Sequence, residues 1–139
     1  MTTRADIIAA ARSFIGTPFH HQARLPGVGL DCIGVPVCAA RTVGLPVVDS
    51  TDYRRRPSPK DPDFLIRHLA RNLDRVETPQ PADVVCFGWR DSALAYHLGI
   101  MTDPTHMVHA WAGGEKVLEV EIAPWMDRFH SAWSFRGLA

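Results

Sequence analysis

The hydrophobic pattern of this chain changes near its middle, from a helical spacing to the short alternating runs of strands. Before Pro79 apolar residues recur every three or four positions, and after Pro81 they form short runs separated by turn signals at Asp103–Pro104 and Gly113–Gly114. Helices followed by an antiparallel meander are typical of an α+β fold, in which the N-terminal helices pack on the C-terminal sheet. The length of 139 residues predicts a single domain over residues 1–139.

The same pattern predicts where the individual elements lie. Helices are expected at Thr3–Phe14 with Thr3 as the cap, at about Asp31–Val43, and from Asp61–Pro62 with an apolar stripe that continues to Val76. Two segments are predicted to be loops, Gly16–Leu30 and Val47–Lys60. Strands are expected at five places: Asp83–Trp89, Tyr96–Met101, His106–Trp111, Lys116–Ile122 and Trp133–Arg136.

Charge and cysteine content narrow the function classes. The 15 basic residues balance the 15 acidic residues, which argues against direct nucleic-acid binding. The only basic cluster, Arg54–Arg56, is predicted to be a solvated loop. Three cysteines do not form a disulfide framework, and at least one could be a free thiol. We expect synthesis in the cytoplasm, because the chain shows neither a signal peptide nor a stretch long enough for a membrane span.

Cys32 is the first candidate for chemistry, because it follows a glycine-rich loop and is predicted to open the second helix. A helix N-terminus favours thiolate over thiol, and its free N–H groups could hold an oxyanion. Gly34 is expected to let a substrate backbone come close, with Asp31 as a possible N-cap. The alternative is a small buried hydrophobic residue, and position alone leaves both interpretations open. Cys38 and Cys86 are predicted to be core residues.

Two histidines could supply the base that a nucleophilic thiol needs. Pairing Met101 with Met107 across a five-residue loop puts His97 and His109 on one sheet face as diagonal neighbours, about 7–8 Å apart at the backbone. His97 could then act as a base whose tautomer His109 fixes. Gly99 leaves room beside His97 on that face. The alternative is two satisfied or exposed strand histidines with no chemical role.

Several segments of the sequence together resemble the motifs of the NlpC-type cell-wall peptidases. They follow the family's order and spacing over roughly residues 5–125, and they are Gly16–Phe19, Gly29–Val35, Ala82–Phe87, His97–Ile100 and Met107–Ala110. Two further segments, Gly16–Arg24 and Pro124–Met126, are similar to the branch of the family found in phage tails and gene transfer agents.

This resemblance implies a papain-like NlpC fold and hydrolysis of peptide stems in the bacterial cell wall, commonly between D-γ-glutamyl and diaminopimelate residues. By the family's motifs Cys32 is the nucleophile, His97 the base and His109 the orienting third residue, with no metal or cofactor. Should His109 not orient the base, Asp91 and Glu119 are the nearest alternatives in sequence. The resemblance also implies assembly into a phage-like tail, with peptidoglycan and other tail proteins as partners and local opening of the wall for DNA delivery as the task.

Phe19 departs from the family pattern. Many relatives have a tyrosine thirteen residues before the cysteine, and its hydroxyl is thought to help hold substrate or oxyanion. That hydroxyl is missing here, and His21 or Gln22 could replace it. Substrate contacts are therefore expected from Phe19, His21, Gln22 and Gly34.

Three other functions are compatible with these residues. A structural tail-tip subunit would keep an inactive peptidase fold, which the missing hydroxyl allows. A zinc hydrolase would use Cys32, His97 and His109 as ligands, although the sequence has no paired-cysteine motif and no helical His-Glu-x-x-His. A thiol acyltransferase or amidase on the same fold is the third alternative.

Overall fold

The computed structural model of the protein describes residues 1–56, 58–89 and 94–139, and these segments form helices and antiparallel strands. The α-helices are α1 (Arg4–Ser13), α2 (Gly34–Thr42) and α3 (Phe64–Asn72). The strands are β1 (Arg24–Leu25), β2 (Gly29–Leu30), β3 (Leu73–Val76), β4 (Val84–Gly88), β5 (Ala95–Asp103), β6 (His106–Ala110), β7 (Val117–Glu121) and β8 (Phe129–Phe135). Two 3-10 helices cover Ala112–Gly114 and Ala123–Arg128. No helix within the described segments has the length and apolar character that crossing a bilayer requires.

The first helix is fixed at its start by a capping box. The Thr3 hydroxyl accepts a hydrogen bond from the Asp6 N–H at 3.2 Å, and the Asp6 carboxylate accepts one from the Thr3 N–H at 2.9 Å. Both contacts satisfy amide groups that have no partner within the helix. Ile7 and Ala11 then lie in the core with no exposed surface. The predicted cap at Thr3 is confirmed.

The second helix begins later than the sequence predicts. It starts at Gly34, so Cys32 lies in the turn before the helix and not at its first residue. Asp31 still caps it from outside, because Asp31 Oδ1 accepts a hydrogen bond from the Gly34 N–H at 2.8 Å. Pro36 falls in the first turn, where its missing N–H removes no hydrogen bond of the helix. The helix thus begins three residues after its predicted start at about Asp31, while the predicted cap at Asp31 is confirmed.

The third helix is shorter at both ends than the sequence predicts. It starts at Phe64 and not at Asp61–Pro62, and it ends at Asn72. The segment Leu73–Val76, predicted as its last turn, is instead a strand that pairs antiparallel with Ala132–Phe135. The conformation of this segment is decided by pairing with a strand that is distant in sequence. The helical spacing of the segment's apolar residues does not reveal that partner.

Six strands form one antiparallel sheet in the order β3-β8-β4-β5-β6-β7. The strands from β4 to β7 make the predicted meander, each beside the next in sequence. The last strand departs from the prediction of Trp133–Arg136, because β8 already begins at Phe129 and lies between β3 and β4. The two short strands β1 and β2 pair with each other inside the predicted loop Gly16–Leu30.

The hairpin of β5 and β6 has the register that the sequence predicts. Met101 lies opposite Met107, so His109 comes beside Gly99 on the neighbouring strand. A Cβ atom added at Gly99 would lie 2.7 Å from the Met107 sulfur and 3.4 Å from the His109 Cβ. Any larger residue at this position would have to displace the Met107 side chain.

The helices cover one face of the sheet. The main core lies between them, and its buried members include Ile7, Ala11, Phe14, Val35, Leu65, Leu69, Val84, Leu98, Ile100 and Val108. A smaller apolar cluster covers the opposite face and consists of Val85, Phe87, Met101, Met107 and Ile122, with Trp125 packed against it. The predicted α+β architecture, with N-terminal helices on a C-terminal antiparallel sheet, is confirmed.

Candidate active site

A cavity of about 400 Å³ opens between the loop before α2, the loop before α3 and the ends of β5 and β6. Cys32 and His97 both line this cavity, and so do Phe19 and His21. The residues that the sequence predicts as nucleophile and base therefore share one accessible space.

The half-buried Cys32 side chain packs against the core, with its thiol against β5. The thiol lies close to the backbone of Leu98, the residue that follows His97. Burial raises the pKa of the Cys32 thiol to about 12, and the nearby Asp31 carboxylate adds to the rise. Burial and the Asp31 carboxylate thus act against the thiolate that is expected at a helix N-terminus. The resting group is a neutral thiol, which needs a base to react.

The amides of Gly34 and Val35, the first two of α2, already have partners and are not available to an oxyanion. The Gly34 N–H donates to the Asp31 carboxylate at 2.8 Å, and the Val35 N–H donates to the Asp31 carbonyl at 3.3 Å. A Cβ atom added at Gly34 would lie 2.7 Å from the Ala23 carbonyl oxygen, so this glycine faces the interior of the protein. The structure thus gives Gly34 a packing role in place of the expected substrate contact.

His97 and His109 meet on one face of the sheet, as their register predicts. His97 Nε2 lies 2.7 Å from His109 Nδ1, and the two residues are only 3% and 2% exposed. Burial lowers the pKa of His97 well below its usual value, and the charge of a protonated His109 would lower it further. Burial also lowers the pKa of His109 to about 4. Both rings are neutral at pH 7, and donation from His97 Nε2 to His109 leaves His97 Nδ1 able to accept a proton.

Aromatic side chains enclose the histidine pair. Trp125, from the second 3-10 helix, stacks on His97 with ring centroids 4.9 Å apart, and Trp111 stacks on His109 at 6.4 Å. Phe87 lies opposite His97 in the sheet, with 6.3 Å between the ring centroids. These rings keep water from the pair, which is the physical cause of the lowered pKa values. The alternation of side chains along a strand is the sequence signal that places Phe87 and Trp111 on the same sheet face as the two histidines.

A bulge in β5 explains how consecutive residues reach the cavity. His97 is opposite Phe87, but Ala95 is opposite Gly88, so Tyr96 is an extra residue in this ladder. Ala95, Tyr96 and His97 all line the cavity, which a regular strand with alternating side chains would not allow. The bulge makes Tyr96 a cavity residue that the sequence pattern does not predict.

The Asp31 carboxylate, next to Cys32, is the centre of a hydrogen-bond network. It accepts hydrogen bonds from Arg24 Nη1 at 2.9 Å, from the Gln22 N–H at 2.8 Å and from the Tyr53 hydroxyl. The Tyr53 hydroxyl in turn accepts a hydrogen bond from Arg24 Nη2 at 2.8 Å. Since a buried carboxylate with this many donors has little freedom, the network fixes the turn that carries the thiol.

The segment Val47–Lys60, predicted as a loop, is held by contacts with other parts of the chain, among them those of Asp49 and Tyr53. Asp49 accepts a hydrogen bond from Arg24 Nε at 2.8 Å and contacts His68 Nε2 at 3.1 Å. Tyr53 binds Asp31 in the turn that carries Cys32, and it lines the cavity. Nothing in the local sequence signals these contacts, because their partners lie in other parts of the chain.

Of the four residues predicted to contact substrate, Phe19 and His21 line the cavity. His21 packs edge-on against Tyr53 with ring centroids 5.5 Å apart. Gln22 does not line the cavity: its side chain donates to the Tyr53 carbonyl at 2.8 Å, and its N–H donates to Asp31. Gln22 therefore supports the turn that carries Cys32 and does not supply the hydroxyl that Phe19 lacks.

Glu119, an alternative partner for the base, is engaged elsewhere. Its carboxylate accepts hydrogen bonds from Arg12 at 3.0 Å and from the Thr102 hydroxyl at 2.7 Å. The other alternative, Asp91, lies outside the described residues. His109 is thus the described side chain that contacts a ring nitrogen of His97.

All three cysteines are free thiols, and Cys38 and Cys86 are buried as predicted. In the part of the chain that the structure describes, no three His, Cys, Asp or Glu side chains are grouped so that they could hold a metal ion. The chemistry that the described residues support is nucleophilic attack by Cys32 with His97 as the proton acceptor.

Comparison with known proteins identifies the fold. No family model matches the sequence, and no curated protein sequence matches it either. An NlpC/P60 family protein from Bacillus cereus ATCC 10987 is similar with a TM-score of 0.72 and 18% identity, over 96% of this chain and 40% of that one. The NlpC/p60 domain of the peptidoglycan hydrolase SagA has a TM-score of 0.66 and 21% identity, over 96% of this chain and 100% of that domain.

A third similar structure is RipD from Mycobacterium tuberculosis, described as a non-catalytic NlpC/p60 domain protein adapted to a peptidoglycan-binding function. Its TM-score is 0.61 with 14% identity, over 99% of this chain and 100% of that one. The chain therefore spans a complete NlpC/p60 domain in two of these proteins and about 40% of the length of the third. These similarities show that the chain has the NlpC/P60 fold.

Proposed function

We propose that this protein is a cysteine peptidase of the NlpC type that hydrolyses the peptide stems of bacterial peptidoglycan. The observation that carries the proposal is the presence of Cys32 and His97 on one cavity, with His97 hydrogen-bonded to His109 at 2.7 Å. The motif resemblance and the shared fold with a peptidoglycan hydrolase domain support the choice of substrate.

In the proposed reaction the neutral forms of both catalytic groups are the starting point. His97 Nδ1 takes the proton of the Cys32 thiol as the sulfur attacks the scissile carbonyl, and a thioester forms when that proton is delivered to the leaving amine. Water, deprotonated by His97, then hydrolyses the thioester and returns the thiol. His109 holds the His97 ring in the orientation and tautomer that these steps need.

The finer parts of the proposal come from the sequence resemblance. We place the cut between D-γ-glutamyl and diaminopimelate residues, which is the common specificity of the family. The similarity of Gly16–Arg24 and Pro124–Met126 to the phage-tail and gene-transfer-agent branch supports assembly into the tail of a phage-like particle. There the enzyme would open the wall locally for DNA delivery. Detection of the chain by mass spectrometry in purified particles, and not in the soluble fraction alone, tests this placement.

Hydrolysis is tested with purified wall fragments. The expected products, identified by mass spectrometry, are peptides with a new terminus at the D-glutamyl residue, and Cys32→Ala should form none. Products from the Cys32→Ala protein, or a different cleaved bond, would contradict the proposed nucleophile or the proposed specificity respectively.

A second candidate is a non-catalytic subunit that binds the wall or builds the tail tip. The raised pKa of the Cys32 thiol and the missing hydroxyl at Phe19 favour it, and RipD has the same fold without catalysis. This candidate predicts that the unaltered chain and the Cys32→Ala variant sediment equally with wall fragments, with no products from either protein.

A further inference from the structure

Tyr53 anchors the start of a cationic segment beside the nucleophile. Its hydroxyl donates to Asp31, the residue before Cys32, and accepts a hydrogen bond from Arg24 at 2.8 Å. Gln22 Nε2 donates to the Tyr53 carbonyl at 2.8 Å, so the backbone at this residue is held as well. The residues that follow Tyr53 therefore leave from a fixed point next to the thiol.

The three residues after Tyr53 are arginines, and we call Arg54–Arg56 the arginine rim. All three line the cavity that contains Cys32, and Lys60 lines it too. The ion pairs formed within 4.0 Å among the described residues do not include any member of the arginine rim. The guanidinium groups thus remain available to a ligand in the cavity.

The carboxylates on the same cavity do not balance this charge. Asp31 is bound to Arg24 at 2.9 Å, and Asp61 is bound to Arg67 at 2.7 Å. Asp52 is the remaining described carboxylate on the cavity wall. Its single negative charge compares with four positive charges, those of the arginine rim and Lys60. A cavity with excess positive charge attracts an anionic substrate group over a neutral one.

Arg55 and Phe19 show how the rim is held over the cavity. The Arg55 guanidinium lies 5.8 Å from the centroid of the Phe19 ring. An aromatic face attracts a guanidinium without neutralising it, so its N–H groups can still bind an anion in bidentate fashion. Burial raises the pKa of Tyr96, which lines the same cavity, and the positive charges of Arg56 and Arg55 act against that rise. The electrostatic influence of both arginines therefore extends into the cavity.

We infer that the arginine rim is a binding site for a carboxylate that lies next to the scissile bond, and that it selects stem peptides with a free carboxylate over amidated ones. This inference rests on the proposed function and adds the chemical class that the site prefers. A carboxylate is the anion that a peptide substrate can place within reach of both the rim and Cys32, and arginine matches its geometry. In this arrangement the Phe19 ring supports the Arg55 guanidinium, and the arginine rim binds the substrate in place of the tyrosine hydroxyl found in many relatives.

The test measures equilibrium binding to the Cys32→Ala protein, so that no turnover occurs. The probes are two synthetic stem peptides that differ at one group: γ-linked D-glutamate carries its α-carboxylate in one and a primary amide in the other. We expect the carboxylate peptide to bind about tenfold more tightly, since one charge-assisted contact is lost in the amide. Arg55→Gln in the Cys32→Ala background should remove most of that preference by weakening the carboxylate peptide alone.

Arg71→Gln is the matched control, because Arg71 is exposed on α3, does not line this cavity and carries the same charge. It should keep the preference. Equal binding of the two peptides, or an unchanged preference in Arg55→Gln, would overturn the arginine assignment while leaving the proposed function intact. Failure of both peptides to bind, together with no hydrolysis of either by the unaltered enzyme, would overturn the proposed function and the inference with it.

Discussion

His97 Nε2 and His109 Nδ1 lie 2.7 Å apart on neighbouring strands, and both rings are enclosed by aromatic side chains. The contact fixes the orientation of His97 and leaves its other ring nitrogen for the cavity that contains Cys32. The two histidines therefore have different expected roles, one moving a proton and one holding the ring that moves it.

Substitutions at the two positions should separate these roles. His97→Gln is expected to lose about 10²–10⁴-fold in kcat on wall fragments, because that is the usual contribution of a general base. His109→Gln should keep much of the activity, since an amide oxygen can accept the His97 N–H, and His109→Ala should lose more. If His109→Ala matches the unaltered protein while His97→Ala is inactive, His109 does not orient the base, and Asp91 becomes the next candidate.

The histidine pair should also make stability depend on pH. An unfolded histidine has a pKa of about 6.5, whereas burial lowers the pKa of His109 to about 4 and that of His97 well below its usual value. Between these values the unfolded chain binds protons that the folded chain does not, so the free energy of unfolding falls as pH drops from about 6.5 towards 4. Each such histidine contributes a slope of about 1.4 kcal/mol per pH unit.

Urea unfolding between pH 7.5 and pH 4 measures this slope. His109→Gln should flatten it, and His20→Gln, which removes an exposed imidazole, serves as the control. An unchanged slope in His109→Gln would contradict the assignment of the acid sensitivity to this pair.

The Cys32 thiol should react slowly at neutral pH. Its pKa is raised to about 12, so the thiolate fraction and the rate of alkylation by iodoacetamide should rise about tenfold per pH unit from pH 7 upward. Peptide mapping should find Cys32 labelled before the buried Cys38 and Cys86. Rapid alkylation already at pH 6 would show instead that the thiol and His97 form an ion pair in the resting protein.

Replacement of each cysteine tests its role directly. Cys32→Ala should abolish hydrolysis and leave the protein folded by circular dichroism, and Cys32→Ser should be nearly as inactive. Cys38→Ala and Cys86→Ala should each destabilise the fold by about 1 kcal/mol or more with little loss of activity, because both side chains are buried. A folded but inactive Cys86→Ala protein would mean that the site extends further than described.

Arg24 should matter more for stability than Tyr53, although both bind Asp31. Tyr53→Phe loses hydrogen bonds and is expected to destabilise the protein by about 1–3 kcal/mol. Arg24→Met leaves the nearly buried Asp31 carboxylate without its ion-pair partner and leaves Asp49 with only Arg41 at 3.7 Å and His68 at 3.1 Å, and we expect a loss of about 3–5 kcal/mol. Chemical unfolding at pH 7 compares the two, and a larger effect of Tyr53→Phe would contradict the central place given to Arg24.

Much of this site can be predicted from the sequence, because the residues that form it either are close in sequence or alternate between the two faces of a strand. The register of the hairpin, with Met101 opposite Met107, places His97 beside His109 without reference to the rest of the chain. The cap at Thr3 and the burial of Cys38 and Cys86 likewise follow from neighbouring residues and from the spacing of apolar residues. Such features depend on contacts between residues close in sequence or on simple alternation, which the sequence displays.

Tertiary structure alone decided the features whose partners are far apart in sequence. Leu73–Val76 is a strand because β8 pairs with it, although its apolar residues have a helical spacing. Tyr53 lies at the turn that carries Cys32 because Asp31 and Arg24 bind its hydroxyl there. The pKa of Cys32 is raised because the thiol is buried against β5, while the local position before a helix predicts the opposite shift. Pairing, burial and desolvation are properties of the assembled fold, so no local pattern around these residues contains them.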